Sequence, residues 1–201
     1  MLTELTGAVA SADKPNSDSQ ATGVDALATI APVALVPFTE AHLTNRYVHW
    51  LNDSVNVRYS EQRHRKHTVK SCREYFEGIA EPDRFWAIET LDLGHVGNLK
   101  ATVDPFNEVA DLSILVGREF WGQGIGFQAW CLAIEEMRQA GMRLITAGTL
   151  ECNEAMLAIM WRSGMTRDGR RLQHMMVEGR PTDVIYGAIS GAKTCHTTRT
   201  A

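Results

Sequence analysis

The chain has no surplus of basic residues. Its 20 Lys and Arg stand against 24 Asp and Glu, leaving a formal charge of -4, whereas a general nucleic-acid binder carries the opposite balance. No apolar run approaches the ~20 residues of a membrane helix, and the N-terminus lacks the basic-then-apolar layout of a secretory signal. Both absences point to a cytoplasmic protein with no membrane partner. The four cysteines (Cys72, Cys131, Cys152, Cys195) form no CxxC pair and no metal-type spacing, so neither a metal site nor a disulfide framework is expected. Cys131 reads as a core residue of its helix and Cys195 as a tail residue. Residues 1–30 lack any sustained apolar period and are rich in Ala, Ser, Thr, Asp and Gly, a composition that does not repay the entropy of ordering. They read as a flexible leader, residues 31–191 as one domain and residues 192–201 as a frayed tail.

What is present suffices for one full core, since 44% of the 201 residues are apolar. VALVPF, from Val33, reads as a first strand. Thr39 is placed to cap a helix whose Leu43, Tyr47, Trp50 and Leu51 share one face. A second helix from Thr68 carries Val69, Cys72, Tyr75, Phe76 and Ile79. Three strands follow, RFWAIE from Arg84, HVGNLKATV from His95 and ADLSILVG from Ala110. Their links are too short for parallel crossovers, so they form an antiparallel meander. A helix with Phe127, Trp130, Cys131, Ile134 and Met137 on one stripe ends at Gly141, and the strand RLITAGTL then completes a βαβ unit. Asn153 opens a last helix with Ala155, Met156, Ile159, Met160 and Ser163 inward. RLQHMMVE and DVIYGAIS close the chain as a hairpin around Gly179-Arg180-Pro181.

Between the third meander strand and its helix stand Gly122, Gly124 and Gly126. A glycine-rich turn running into a helix start is an anion cradle, because unobstructed backbone N–H groups and the helix dipole both favour negative charge. A P-loop reading fails, since no Lys follows the glycines. A dinucleotide fingerprint needs GxGxxG and a fold that opens on it, whereas this turn is GxGxG and follows an antiparallel meander. Glu151 alone lies where a ribose-binding acid would sit.

The order strand, two helices, meander, glycine turn, helix, strand, helix and hairpin resembles the GNAT superfamily of acyl-CoA-dependent N-acyltransferases. The turn Trp121-Gly122-Gln123-Gly124-Ile125-Gly126 is similar to that family's Q/R-x-x-G-x-G/A. Trp121 in place of Gln or Arg resembles the branch of ribosomal-protein alanine acetyltransferases. The resemblance implies an α/β fold with a mixed, mostly antiparallel sheet of roughly six to seven strands, about four helices and splayed central parallel strands. It also implies acetyl-CoA as cosubstrate, with no metal. The turn from Trp121 through Gly126 would hold the pyrophosphate, and the strand around Leu115 and Val116 would pair with the pantetheine arm. A backbone N–H near Leu115 or Val116 would polarise the acyl carbonyl, and Asn153 would bond the arm.

Amide formation from a thioester needs a neutral amine, an activated carbonyl and a proton for the thiolate. Asp111 matches the position where many relatives carry a Glu base, with His95 and Lys100 as further candidates. The resemblance puts a Tyr acid seven residues beyond Asn153, and this chain has Met160 there. Arg58, Arg63, His64, Arg65 and their neighbours form the largest cationic excess, in a segment that borders the acceptor in the family. The wording from Trp50 to Arg63 is similar to acetyltransferases of bacterial surface-polysaccharide synthesis. The expected acceptor is therefore a small-molecule amine, in particular an amino sugar nucleotide. A protein N-terminus is the alternative, and a catalytically silent CoA-binding module the competing class. The enzyme is expected to be a monomer or a homodimer.

Overall fold

The computed structural model describes residues 32–191; the leader, the tail and Cys195 lie outside them. A seven-stranded mixed sheet in the order β1-β2-β3-β4-β5-β7-β6 forms the centre. Its strands are β1 (Val33–Pro37), β2 (Arg84–Thr90), β3 (Gly94–Asp104), β4 (Val109–Val116), β5 (Leu144–Leu150), β6 (Thr166–Val177) and β7 (Arg180–Ser190). The helices are α1 (Asn45–Asn52), α2 (Val69–Glu77), α3 (Ile125–Gln139) and α4 (Glu154–Arg162). β1 to β4 pair antiparallel, as their short links require, and β4 pairs parallel with β5 across α3.

The pleat sorts the side chains onto two faces. Trp86, Leu99 and Ile114 are in register on one face, and Phe85, Lys100 and Ser113 on the other. Glu136 of α3 hydrogen-bonds Trp86, so α3 covers the first face, where it packs on β1, β3 and β4. Tyr75 of α2 meets Phe85 edge-on at 5.9 Å, so α1 and α2 cover the second. Both sides bury large residues, including Trp50, Trp130, Ile88 and Leu99.

Several local boundaries differ from the expectation. Thr39 caps a single 3-10 turn, Glu40–His42, and Thr44 is the residue whose side chain caps α1 by accepting from the Tyr47 N–H at 3.3 Å. The inward stripe of α3 is Ile125, Ala129, Trp130, Ala133, Ile134 and Met137, while Phe127 and Cys131 are half-buried. The small alanines let α3 lie close to the sheet, which turns the stripe away from Phe127. β6 begins at Thr166, five residues before the expected Arg171. It is an edge strand held by backbone pairing with two register breaks, so its side chains are mostly exposed and carry no alternation to read.

Candidate active site

β4 and β5 pair over three positions alone, Val109–Asp111 with Leu144–Thr146, although β4 continues to Val116 and β5 to Leu150. Beyond Asp111 the two parallel strands diverge. Each is fully paired on its outer side, β4 with β3 and β5 with β7, so the facing edges inside the fork offer free backbone groups. These are a ready partner for an extended, amide-bearing chain.

The fork opens into a cleft of about 1490 Å³. One end is walled by Ser113–Val116, by the turn Trp121–Gly126 and by Ala155, Met156, Ile159 and Arg162 of α4. Gly122 (φ 76) and Gly124 (φ 74) occupy left-handed backbone that side-chain-bearing residues rarely adopt. Gly124 is the N-cap of α3 and supplies no side-chain cap, so the first N–H groups of a 15-residue helix face the cleft without a side-chain acceptor. Trp121 donates its Nε1–H to the Val116 carbonyl at 3.0 Å, tying the turn to the end of β4. Gln123 donates to the Glu119 carbonyl at 3.3 Å. This end fits a diphosphate continued by an amide chain, which is the form of coenzyme A.

Asn153 caps α4 by accepting from the Met156 N–H at 3.4 Å and donates to Thr149 Oγ1 at 3.1 Å. Both Asn153 and Thr149 line the cleft. Ala155, expected inward, is exposed, because α4 divides its apolar stripe between the core and the cleft wall. Met160 is fully buried and packs toward Gly187. It does not line the cleft.

The opposite end lies under α1, α2 and the segment between them. Asn52 clamps that segment with a pair of 2.9 Å bonds, donating to the His67 carbonyl and accepting from the His67 N–H. Asn56 donates to the Trp50 carbonyl at 3.1 Å. Arg58, Arg65 and Lys66 line the cleft, and none of them is paired with a carboxylate among the described residues. Arg58 stacks over Tyr59 at 4.4 Å. Arg63 and His64 face elsewhere. Arg63 donates to the Ser60 carbonyl at 2.7 Å and the Met176 carbonyl at 3.0 Å and pairs with Glu61, bracing the segment against β6. His64 lies beside Glu61 at 3.8 Å.

Asp111 sits at the crotch of the fork and is not itself among the lining residues, which on β4 run from Leu112 to Val116. It accepts from Thr146 Oγ1 at 2.7 Å. One side is open to solvent, yet desolvation by its neighbours raises its carboxyl above the ordinary range, and the Thr146 hydroxyl pulls the other way. Lys100 lines the cleft with its charge held by Asp83 at 3.0 Å. His95 is half-buried among rings. Asn98, Tyr75 and Arg162 line the cleft as well and were not singled out from the sequence. The one available signal was Asn98, a polar residue inside an apolar strand.

With this geometry in place, the comparison with known proteins is decisive at the family level. The model of the acetyltransferase (GNAT) domain matches residues 33–166. The chain belongs to the GNAT acetyltransferase family. As an N-acetyltransferase it matches no curated protein by sequence, but it shares its fold with many solved structures. Spermidine N-acetyltransferase from Vibrio cholerae, solved with CoA and spermine, superposes with a TM-score of 0.71 at 16% identity, over 79% of this chain and 95% of that one. RimL, a ribosomal L7/L12 alpha-N-protein acetyltransferase solved with coenzyme A, gives 0.69 at 19% identity, over 79% and 93%. The microcin C7 self-immunity acetyltransferase MccE, solved with acetyl-CoA and AMP, gives 0.69 at 16% identity, over 79% and 92%. Among the described residues of this acetyltransferase no helix is long and apolar enough to cross a membrane.

Proposed function

We infer that this acetyltransferase moves an acetyl group from acetyl-CoA to the primary amine of a small molecule that also carries an anionic group, an amino sugar nucleotide being the best match. The observation that carries this reading is the charge of the acceptor end. Arg58, Arg65 and Lys66 face the cleft unpaired among the described residues, and Asp92 is the one carboxylate in the lining. A polyamine would need carboxylates there. A nucleotide diphosphate instead meets two guanidinium groups able to bind it in bidentate fashion.

At the donor end, the N–H groups of Ile125 to Phe127 and the α3 dipole would hold the pyrophosphate. The free edge of β4 from Ser113 to Val116 would align the pantetheine arm. Bound there, acetyl-CoA supplies the activated acyl group, and the chain holds it beside the amine. Asp111 keeps the base role that the resemblance gives it, and from the crotch of the fork it would take the ammonium proton through a water. The cleft-lining Tyr59 and Tyr75 carry hydroxyls on the acceptor side, whereas Met160 has none to offer.

A panel of amines assayed by thiol release from acetyl-CoA tests the reading. Nucleotide-linked amino sugars should show a kcat/KM at least tenfold above spermidine and above a peptide with a free N-terminus. A preference for spermidine would overturn the charge argument, and a preference for the peptide would favour the N-terminal acetyltransferase alternative. CoA binding without transfer to any amine would favour the silent module. Arg65→Ala should raise the KM of the best acceptor about tenfold, the loss expected for one charge-assisted contact, and leave the Kd for CoA unchanged.

A further inference from the structure

Asn98 lies in the middle of β3, 3% exposed, and is one of the residues that line the cleft. Its Nδ2 is buried and has no hydrogen-bond partner in the protein. A buried amide hydrogen left without an acceptor is costly, and in native proteins it calls for an explanation such as a bound ligand.

The other half of the amide is fixed. Asn98 Oδ1 lies 2.8 Å from His95 Nε2. Residues three apart in a regular strand point to opposite faces, so this contact requires an irregularity. The strand supplies one: Gly97 is opposite Ile88, but the next pair is His95 with Glu89, so Val96 is an extra residue in β3. The bulge brings His95 onto the face of Asn98. His95 is then enclosed by Phe38, His42, Tyr47 and Trp50, with ring centroids 5.1–6.4 Å away. Burial holds its imidazole below the ordinary value, partly countered by the bond to Asn98. A neutral His95 whose Nε2–H donates to Oδ1 locks the amide and leaves Nδ2–H as the unpartnered half of a cleft-lining residue.

The position of that donor is set by register. Asn98 is directly opposite Leu115 of β4, on the stretch of the fork edge where the resemblance puts the acyl carbonyl. We propose that Asn98, oriented by His95, donates a hydrogen bond from Nδ2 to the carbonyl oxygen of the bound acyl donor and so distinguishes acyl-CoA from free CoA. The assignment rests on the reading that acetyl-CoA occupies the fork. CoA lacks the carbonyl but keeps every other feature, so the pair of ligands isolates this contact.

The experiment is calorimetric titration of the full chain and of Asn98→Leu with acetyl-CoA and with CoA. In Asn98→Leu the ratio of acetyl-CoA affinity to CoA affinity should fall about three- to tenfold, the effect of one neutral hydrogen bond. The Kd for CoA should hold, while the Tm reflects two opposing changes, the Nδ2 orphan removed and the His95 Nε2–H left without its acceptor. A purely structural role for Asn98 would leave the ratio unmoved, and an unmoved ratio overturns the proposal. Asn98→Asp, which keeps the shape and the His95 contact but cannot donate when ionised, should lower the ratio in the same way and covers the case in which the leucine variant does not fold. Wild-type protein that binds neither ligand would overturn the donor reading itself and this assignment with it. Wild-type binding with an unchanged ratio in the variants would overturn the Asn98 assignment alone.

Discussion

Gly126 offers a test in which stability and binding should answer to different substitutions. It stands in the first turn of α3 without a positive φ, so alanine fits its backbone. A Cβ there would lie 3.3 Å from the Ile159 Cδ1 and 3.7 Å from the Val116 Cγ2. The nearer atom is the end of a flexible side chain, so a small rotation of Ile159 relieves the contact. Replacing glycine by alanine in a helix is worth up to ~1 kcal/mol. For a domain of this size that is a rise in Tm of about 2–4 °C. The family motif also admits alanine at this position, so Gly126→Ala should keep its CoA affinity. The branched side chain of Gly126→Val, in contrast, would stand in the passage between α3, the end of β4 and α4, where the pyrophosphate and the start of the pantetheine arm are proposed to lie. A tenfold loss of CoA affinity corresponds to about 1.4 kcal/mol, and the valine variant should lose at least that. A thermal scan of Gly126→Ala and CoA titrations of both variants measure this. A valine variant with a Kd equal to that of wild type would refute the placement of the ligand, and a lowered Tm in the alanine variant would show that the glycine is there for packing.

Three more outcomes follow from the same geometry. Asp111→Asn should lower kcat and remove the acid limb of the pH-rate profile, because the carboxyl raised by burial must be ionised to accept a proton; an unchanged profile would clear Asp111 of the base role. Asp183 accepts from the Gln173 N–H at 2.7 Å and pairs with Arg170, and these contacts hold its carboxyl below the ordinary value. Its contribution to stability is present above the unfolded pKa of about 3.9 and is lost as pH falls through the lower folded value. Asp183→Asn should therefore lower Tm at pH 7 and flatten the fall of Tm below about pH 4; an acid limb as steep as that of wild type would contradict this. Arg63→Ala should loosen the segment from Arg58 to His67 through loss of the Met176 brace, raising acceptor KM without a change in CoA affinity; proteolytic susceptibility of the segment equal to that of wild type would count against the bracing role.

The parts legible in the sequence are those with local physical causes. The three glycines require a turn, Gly141 with its φ of 86 stops α3, and short links force the meander. What was not legible arises from contacts between distant segments. Thr39 and Thr44 are both good caps, and the choice depends on His42 reaching Glu89 and the Thr39 N–H. Arg63 and Arg65 are two residues apart in one cationic run, yet one braces β6 and the other faces the cleft. Gly97 in HVGNLKATV marks a place where a strand can bulge, but not which residue is extra, so the pairing of His95 with Asn98 could not be read before the register was known. Ala155 departs from its expected inward place because α4 serves two surfaces, whereas Met160 is buried as expected.

Coenzyme A is proposed to lie across the N-terminus of α3 and along the open edge of β4. Amide hydrogen exchange with and without CoA tests this most directly. Saturating CoA should slow exchange at residues 123–127 and 113–116 and leave the outer edge of β6 unchanged. Binding that protects a different surface, or no protection at micromolar CoA, would contradict it.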